Sequence, residues 1–85
     1  MRLIHFKSTP ENWRKEYFGL KPNTLREFKD TTDIRLDILN CYIKNKLTEL
    51  MIEIENTDTH EIFTRKVTDI TEWHGFFIIS WEHKL

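Results

Sequence analysis

The stretch Glu49-Leu50-Met51-Ile52-Glu53-Ile54-Glu55 decides the fold. Leu50, Ile52 and Ile54 alternate with Glu49, Met51, Glu53 and Glu55. Side chains on a strand alternate between its two faces, so this period of two describes a strand with one wet and one dry side. Working outward, Asn56-Thr57-Asp58-Thr59-His60 is turn chemistry, because short polar side chains can bond the backbone of a turn. Residues 61–71 then read as the returning strand. Strict alternation there puts Phe63, Arg65, Val67 and Asp69 on one face, and Ile62, Thr64, Lys66, Thr68 and Ile70 on the other. His74-Gly75 makes a tight connection into Phe76-Phe77-Ile78-Ile79-Ser80-Trp81, a run apolar enough to be buried on both faces.

Upstream of the meander, Leu3-Ile4-His5-Phe6 reads as a first strand. A helix over residues 10–18 follows. Thr9 is its cap and Pro10 its first residue, where a missing N–H costs nothing. An alternative start at Ser8, with Glu11 three residues on, forms a capping box. Glu11 and Lys15 are spaced to pair along the helix. Trp13, Tyr17 and Leu20 share the face expected to meet the core, with Phe18 at its edge. Gly19 stops the helix, and Pro22 forbids its continuation. Thr24 to Phe28 alternates as a second strand. Ile34 to Ile43 suits a helical face (Ile34, Ile38, Tyr42) and also a strand (Ile34, Leu36, Ile38); a cap at Asp33 favours the helix.

The predicted architecture is therefore α+β: one domain over residues 1–85, a small and mainly antiparallel β-barrel with an N-terminal helix and a second short helix. With 85 residues the core is modest, and the three Trp and six Phe supply large buried areas from few positions. Cys41 is the only cysteine, so no internal disulfide forms, and a buried or half-buried inert thiol is expected. The apolar start at residues 3–6 is too short for a signal peptide, and nothing approaches a membrane span. A cytoplasmic protein is expected from these features. His5, His60, His74 and His83 are scattered without ligand spacing, so neither a metal nor another cofactor is expected.

Net charge is −1, which argues against a broadly basic nucleic-acid surface. The distribution is uneven. Residues 1–28 carry six bases against three acids, and residues 29–60 carry four against seven, giving +3 and −3. An anionic ligand is expected at the N-terminal third.

Gly19-Leu20-Lys21-Pro22-Asn23-Thr24-Leu25-Arg26 is the most specific local feature. Gly19 lets the chain leave the helix sharply. Lys21 and Arg26 bring two cations to one mouth, and Thr24, Arg26 and Phe28 project to one strand face. A hydroxyl and a guanidinium beside a lysine suit a phosphate, a base edge or a carboxylate. The alternative is structural: a solvated Lys21, a packed Thr24, and Arg26 paired with Glu27, Asp30 or Asp33.

This segment resembles the G-x-K-x-x-T-x-R signature of ASCH domains, a branch of the PUA-like β-barrels. Its position after a strand and helix, and the closing run Gly75 to Trp81, are similar to that family as well. Asp30 to Asn40 lacks the Gly-Asp turn common there. The resemblance implies an RNA or nucleotide ligand in a cleft between helix and barrel, lined by Lys21, Thr24 and Arg26. It also implies a second reading as a small amidohydrolase acting on acylated cytidine. In that chemistry a lysine takes the proton of a threonine that attacks the amide, which would fall to Lys21 and Thr24. The family's glutamate lies outside the motif, with Glu61 and Glu72 as candidates. The short chain resembles forms found in phage, which adds a third reading: a phage-encoded domain that binds a host protein. Trp73, His74, Phe76 and Phe77 could stack on bases, or could serve only the core and the turn. The acids Glu49, Glu53, Glu55 and Asp58 read as a solvated face.

Overall fold

A computed structural model describes residues 2–45, 47 and 49–82. The elements are β1 (Arg2–Ser8), α1 (Pro10–Tyr17), β2 (Asn23–Glu27), α2 (Ile34–Ile43), β3 (Leu50–Asn56), β4 (Ile62–Trp73) and β5 (Phe76–Trp81). They form one mixed sheet in the order β1-β3-β4-β5-β2, curled into a half-barrel. β3, β4 and β5 are the expected antiparallel meander, and β2 adds antiparallel to β5. The remaining pairing is parallel: β1 lies alongside β3, from Arg2 opposite Leu50 to Ser8 opposite Asn56. Parallel neighbours need a crossover, and here it is the whole segment α1–β2–α2. β1 and β2 are the two sheet edges.

The deciding stretch behaves as its pattern requires. Leu50, Ile52 and Ile54 are fully buried, at 0% exposure each. Each such side chain contributes roughly 1.5–3 kcal/mol of transfer free energy. Ile4 and Phe6 join them from β1, Phe63 and Val67 from β4, and Phe77, Ile79 and Trp81 from β5. β5 lies centrally between β4 and β2, but only one of its faces is fully buried. Phe76, Ile78 and Ser80 on the other face are half-buried.

Alternation fails in the middle of β4. Val67 pairs with Trp81 and Asp69 with Ser80, so Thr68 is an extra residue in the strand. Such a bulge reverses which residues face inward beyond it. Ile70 therefore enters the core, while Asp69 turns outward and accepts a hydrogen bond from the Thr71 hydroxyl at 3.0 Å. At the β4–β5 turn, His74 (φ 49°) and Gly75 (φ 81°) both adopt left-handed conformations, the geometry of a type I′ hairpin turn.

The helices pack on the sheet, α1 against β1 and β3, and α2 against β4. α1 begins at Pro10 after Thr9, but the Thr9 side chain makes no cap bond, and Ser8 is the last residue of β1 rather than the start of a capping box. Trp13 is buried and donates through Nε1 to the Ile54 carbonyl at 3.1 Å. Its ring meets Phe63 edge-on at 5.5 Å, and Tyr17 stacks on Phe63 at 5.7 Å. Leu20, expected inside, is 80% exposed because the chain has already turned away at Gly19, whose φ is 78°. Glu11 and Lys15 pair at 3.4 Å.

α2 is a helix, capped by Asp33, whose carboxylate accepts from the Arg35 backbone N–H at 3.0 Å. Its inward side is Leu39, fully buried, with Leu36, Ile38 and Tyr42 beside it. Ile34, expected on that side, is exposed, and so is Cys41, expected buried or half-buried. Among the described residues no helix is long and apolar enough to cross a membrane.

Candidate functional site

α1 and the two edge strands meet around an open cleft of about 210 Å³, lined by Lys7, Ser8, Thr9, Asn12, Glu16, Lys21, Thr24, Leu25 and Arg26. Local sequence explains how these residues arrive together. Gly19 reverses the chain out of α1, and the Lys21 N–H bonds back to the Lys15 carbonyl at 3.1 Å, satisfying a free group at the helix end. Pro22 then docks its carbonyl on the Trp81 N–H at 3.1 Å. Lys21 is held between these two anchors, half-buried at the cleft. Three residues after Lys21, Thr24 enters β2 facing inward, at 3% exposure.

Arg26 ties the two sheet edges together. Its Nε donates to Thr24 Oγ1 at 2.9 Å, one terminal nitrogen donates to the Lys7 carbonyl at 2.8 Å, and the other donates to Ser8 Oγ at 2.8 Å. Its guanidinium also lies 4.7 Å from the centre of the Phe6 ring. Burial lowers the Arg26 pKa. The Glu16 carboxylate opposes that shift, and the Arg35 charge adds to it. Arg26 stays charged all the same, because a guanidinium does not lose its proton in proteins. Its expected acidic partners are engaged elsewhere or not used: Asp33 pairs with Arg35 at 2.7 Å, and Asp30 accepts from the Thr32 hydroxyl at 2.6 Å. Arg35 repeats the edge contact two residues back along β1, donating to the His5 carbonyl at 3.1 Å and lying over the same Phe6 ring at 4.8 Å.

Glu16 is the residue that sequence reading missed. It is 1% exposed, and among the described residues its Oε1 has no hydrogen-bond partner. The signal was present. Glu16 follows Trp13 by three residues and Asn12 by four, so it shares a helix face with both. Reading the face from apolar residues alone selected Tyr17 and Leu20 instead. A carboxylate without water or a hydrogen bond is costly, by several kcal/mol as a class, unless something compensates it. Arg26 supplies charge compensation from nearby, and Lys21 lines the same cleft.

The other candidate acids lie elsewhere. Glu61 is exposed just before β4, and Glu72 is exposed on β4 opposite Phe77; neither lines the cleft. Of the proposed stacking residues, Phe77 belongs to the core, Phe76 is half-buried, and Trp73 is exposed with its ring edge-on to His74 at 4.3 Å. None of them lines the cleft. His83 lies outside the described residues. On the outer sheet face, His5 Nδ1 meets Glu53 at 2.8 Å and its Nε2 meets Glu55 at 3.3 Å, while His60 meets Glu55 at 2.8 Å. The His60 contact, with help from Lys7 and His5, holds the Glu55 carboxyl below its ordinary range. Glu53 and Glu55 are thus paired rather than simply solvated. Among the described residues no group of three His, Cys, Asp or Glu is arranged to hold a metal ion.

No protein-family model matches this sequence, and no curated protein matches it. The chemistry of the cleft must be read from its own residues. It combines three cations (Lys7, Lys21 and Arg26), one buried carboxylate, three hydroxyls (Ser8, Thr9 and Thr24) and a carboxamide.

Proposed function

We propose that this chain is a small nucleotide- or RNA-binding module of the ASCH/PUA-like kind, holding its ligand between α1 and β2. The observation that carries this reading is the meeting of Lys21, Thr24 and Arg26 in one cleft. Cations alone would suit any anion. The hydroxyls and the carboxamide that line the same cleft add hydrogen-bonding groups beside the cations, which favours a ligand with a phosphate and a polar base or sugar, and a nucleotide has both. The cleft is smaller than the ~300 Å³ typical of sites that enclose a drug-sized ligand. It therefore takes one nucleotide's head rather than a strand, and the ligand's remainder stays in water.

Few phosphates can be neutralised at this site. Log affinity should fall with log salt at a shallow slope, on the order of −1 to −3, because each neutralised phosphate releases about one counterion. The test is calorimetric titration of nucleosides, nucleotides and short RNAs into wild type and Lys21→Ala. Affinity that drops in the variant supports the reading. Affinity that is unchanged places the ligand elsewhere, and no binding to any of these ligands favours the protein-partner reading.

A second reading has a specific observation behind it. Lys21 and Thr24 now share their cleft with an acid, Glu16. In an amidohydrolase the Thr24 hydroxyl would attack the amide carbon, Lys21 would take its proton and return it to the departing amine, and water would then release the acyl group. Release of free cytidine from an acylated cytidine, abolished in Thr24→Ala, would put this reading first.

A further inference from the structure

We infer that the N-terminal end of β1 is a docking site for an extended peptide of a partner protein, which adds as a short strand beside Leu3 and sets one apolar side chain against α2. The site is separate from the α1–β2 cleft and does not depend on what that cleft binds. β1 is a sheet edge, and one contact fixes which of its backbone groups face outward. The Ser8 carbonyl accepts from the Thr57 N–H at 3.0 Å, continuing the β1–β3 register. Backbone direction alternates along a parallel-paired strand, so Arg2, Ile4, Phe6 and Ser8 bond β3. Leu3, His5 and Lys7 turn their N–H and C=O groups to the free edge.

Two arginines close part of that edge. Arg26 donates to the Lys7 carbonyl, and Arg35 donates to the His5 carbonyl. Among the described residues nothing caps the Leu3 N–H and C=O or the His5 N–H. An uncapped edge is a template for another strand, and an extended backbone supplies both the donors and the acceptors it needs. Three open groups admit only a short pairing, which ends where Arg35 begins.

A groove of about 320 Å³ adjoins the open end. It is lined by Arg2 from β1, by Ile34, Asp37, Ile38 and Cys41 from α2, and by Leu47. Ile34 is 69% exposed and Leu3 is 52% exposed, though both are apolar. Side chains of an added strand alternate as those of β1 do, so two of them, two residues apart, point to the side of Arg2. One meets the apolar wall of Ile34 and Ile38. The other lies beside Arg2, which forms no ion pair among the described residues, and an acid fits there. Asp37, on the α2 wall, repels that acid and leaves it to Arg2. A second copy of β1 fits less well, because Arg2-Leu3-Ile4-His5-Phe6-Lys7-Ser8 brings bases and no acid.

The test is selection of a phage-displayed library of random dodecapeptides on the full chain, followed by fluorescence anisotropy of the enriched peptides. The expected peptides carry Asp or Glu two residues from Ile, Leu or Val. Their affinity should fall by on the order of tenfold in Ile34→Glu, which changes an exposed side chain, and in Leu3→Pro, which removes an edge N–H that makes no bond within the sheet. Arg2→Glu should weaken them roughly 2- to 5-fold. In the complex the Leu3 and His5 amides should exchange with solvent more slowly, a change that contact through side chains alone does not produce. Failure to enrich any peptide would overturn the inference, as would peptides that bind Ile34→Glu and Leu3→Pro as tightly as wild type. Sedimentation showing a dimer that Leu3→Pro dissociates would overturn it too, by giving the edge to a second copy.

Discussion

Replacing Arg26 with lysine keeps the positive charge and removes the fork that joins the sheet edges. Arg26 makes three hydrogen bonds of 2.8–2.9 Å, to Thr24, Lys7 and Ser8, and stacks over Phe6. One ammonium on a flexible stem can replace at most one of these directions. The Lys7 carbonyl is on the exposed side, and water can take over its bond at little cost. Ser8 and Thr24 are buried, at 7% and 3% exposure, and have no such substitute. A buried polar group left without its partner costs about 1–3 kcal/mol. Two such groups, softened by relaxation at an open edge, give roughly 2–4 kcal/mol for Arg26→Lys. At about 4–8 °C per kcal/mol for a domain of this size, the melting temperature should fall by on the order of 10–30 °C. Thermal unfolding followed by far-UV circular dichroism measures this, with Lys21→Ala as the comparison. Among the described residues Lys21 bonds the scaffold through its backbone N–H, which the substitution keeps, so that variant should melt close to wild type. An Arg26→Lys protein that also melts within about 2 °C of wild type would refute the edge-tying role.

Three further outcomes follow from the same structure. The Asp33 carboxyl is held down to about 2, first by the Arg35 side chain and then by the Arg35 backbone N–H. Its contribution to stability should therefore be complete above its ordinary value near 3.8 and disappear as pH falls through about 2, so the stability gap between wild type and Asp33→Asn, which keeps the helix cap, should close over that window in acid-titrated urea melts. His74→Asn places the favoured Asn-Gly pair in a turn where both residues have positive φ, and chemical denaturation should show a gain of roughly 0.5–1 kcal/mol. Ile52→Ala opens a cavity at a position of 0% exposure in the strand between β1 and β4, and the same assay should show a loss of about 2–5 kcal/mol.

Much of the fold was legible because it is written in local patterns. The 49–55 alternation, the polar turn after it, the Asp33 cap and the Gly19 stop each depend on neighbours in sequence, and each appears in place. What was not legible depends on distant partners. The parallel pairing of β1 with β3 joins residues 48 positions apart and has no local mark. The bulge at Thr68 is set by where Trp81 and Ser80 fall on the neighbouring strand, and a strict period of two sent Asp69 inward and Ile70 outward. At the site, the motif placed Lys21, Thr24 and Arg26 at one cleft. It gave no hint that Arg26 spends three of its donors on β1 and on Thr24. Glu16 was overlooked for a physical reason: a charged residue on an amphipathic helix is assigned to water by default, and only the tertiary position of Asn12 and Glu16 against β1 and β2 shows otherwise.

The most direct test of nucleotide binding in the α1–β2 cleft is a two-dimensional ¹H–¹⁵N NMR titration of the labelled protein with GMP. The expected result is a set of shift changes that saturate and cluster on residues 7–9, 12, 16, 21 and 24–26, the lining of the cleft. Shift changes that cluster instead on Trp73 and Phe76, or on the exposed side of α2 around Ile34 and Cys41, would contradict it, as would a spectrum that does not change at all.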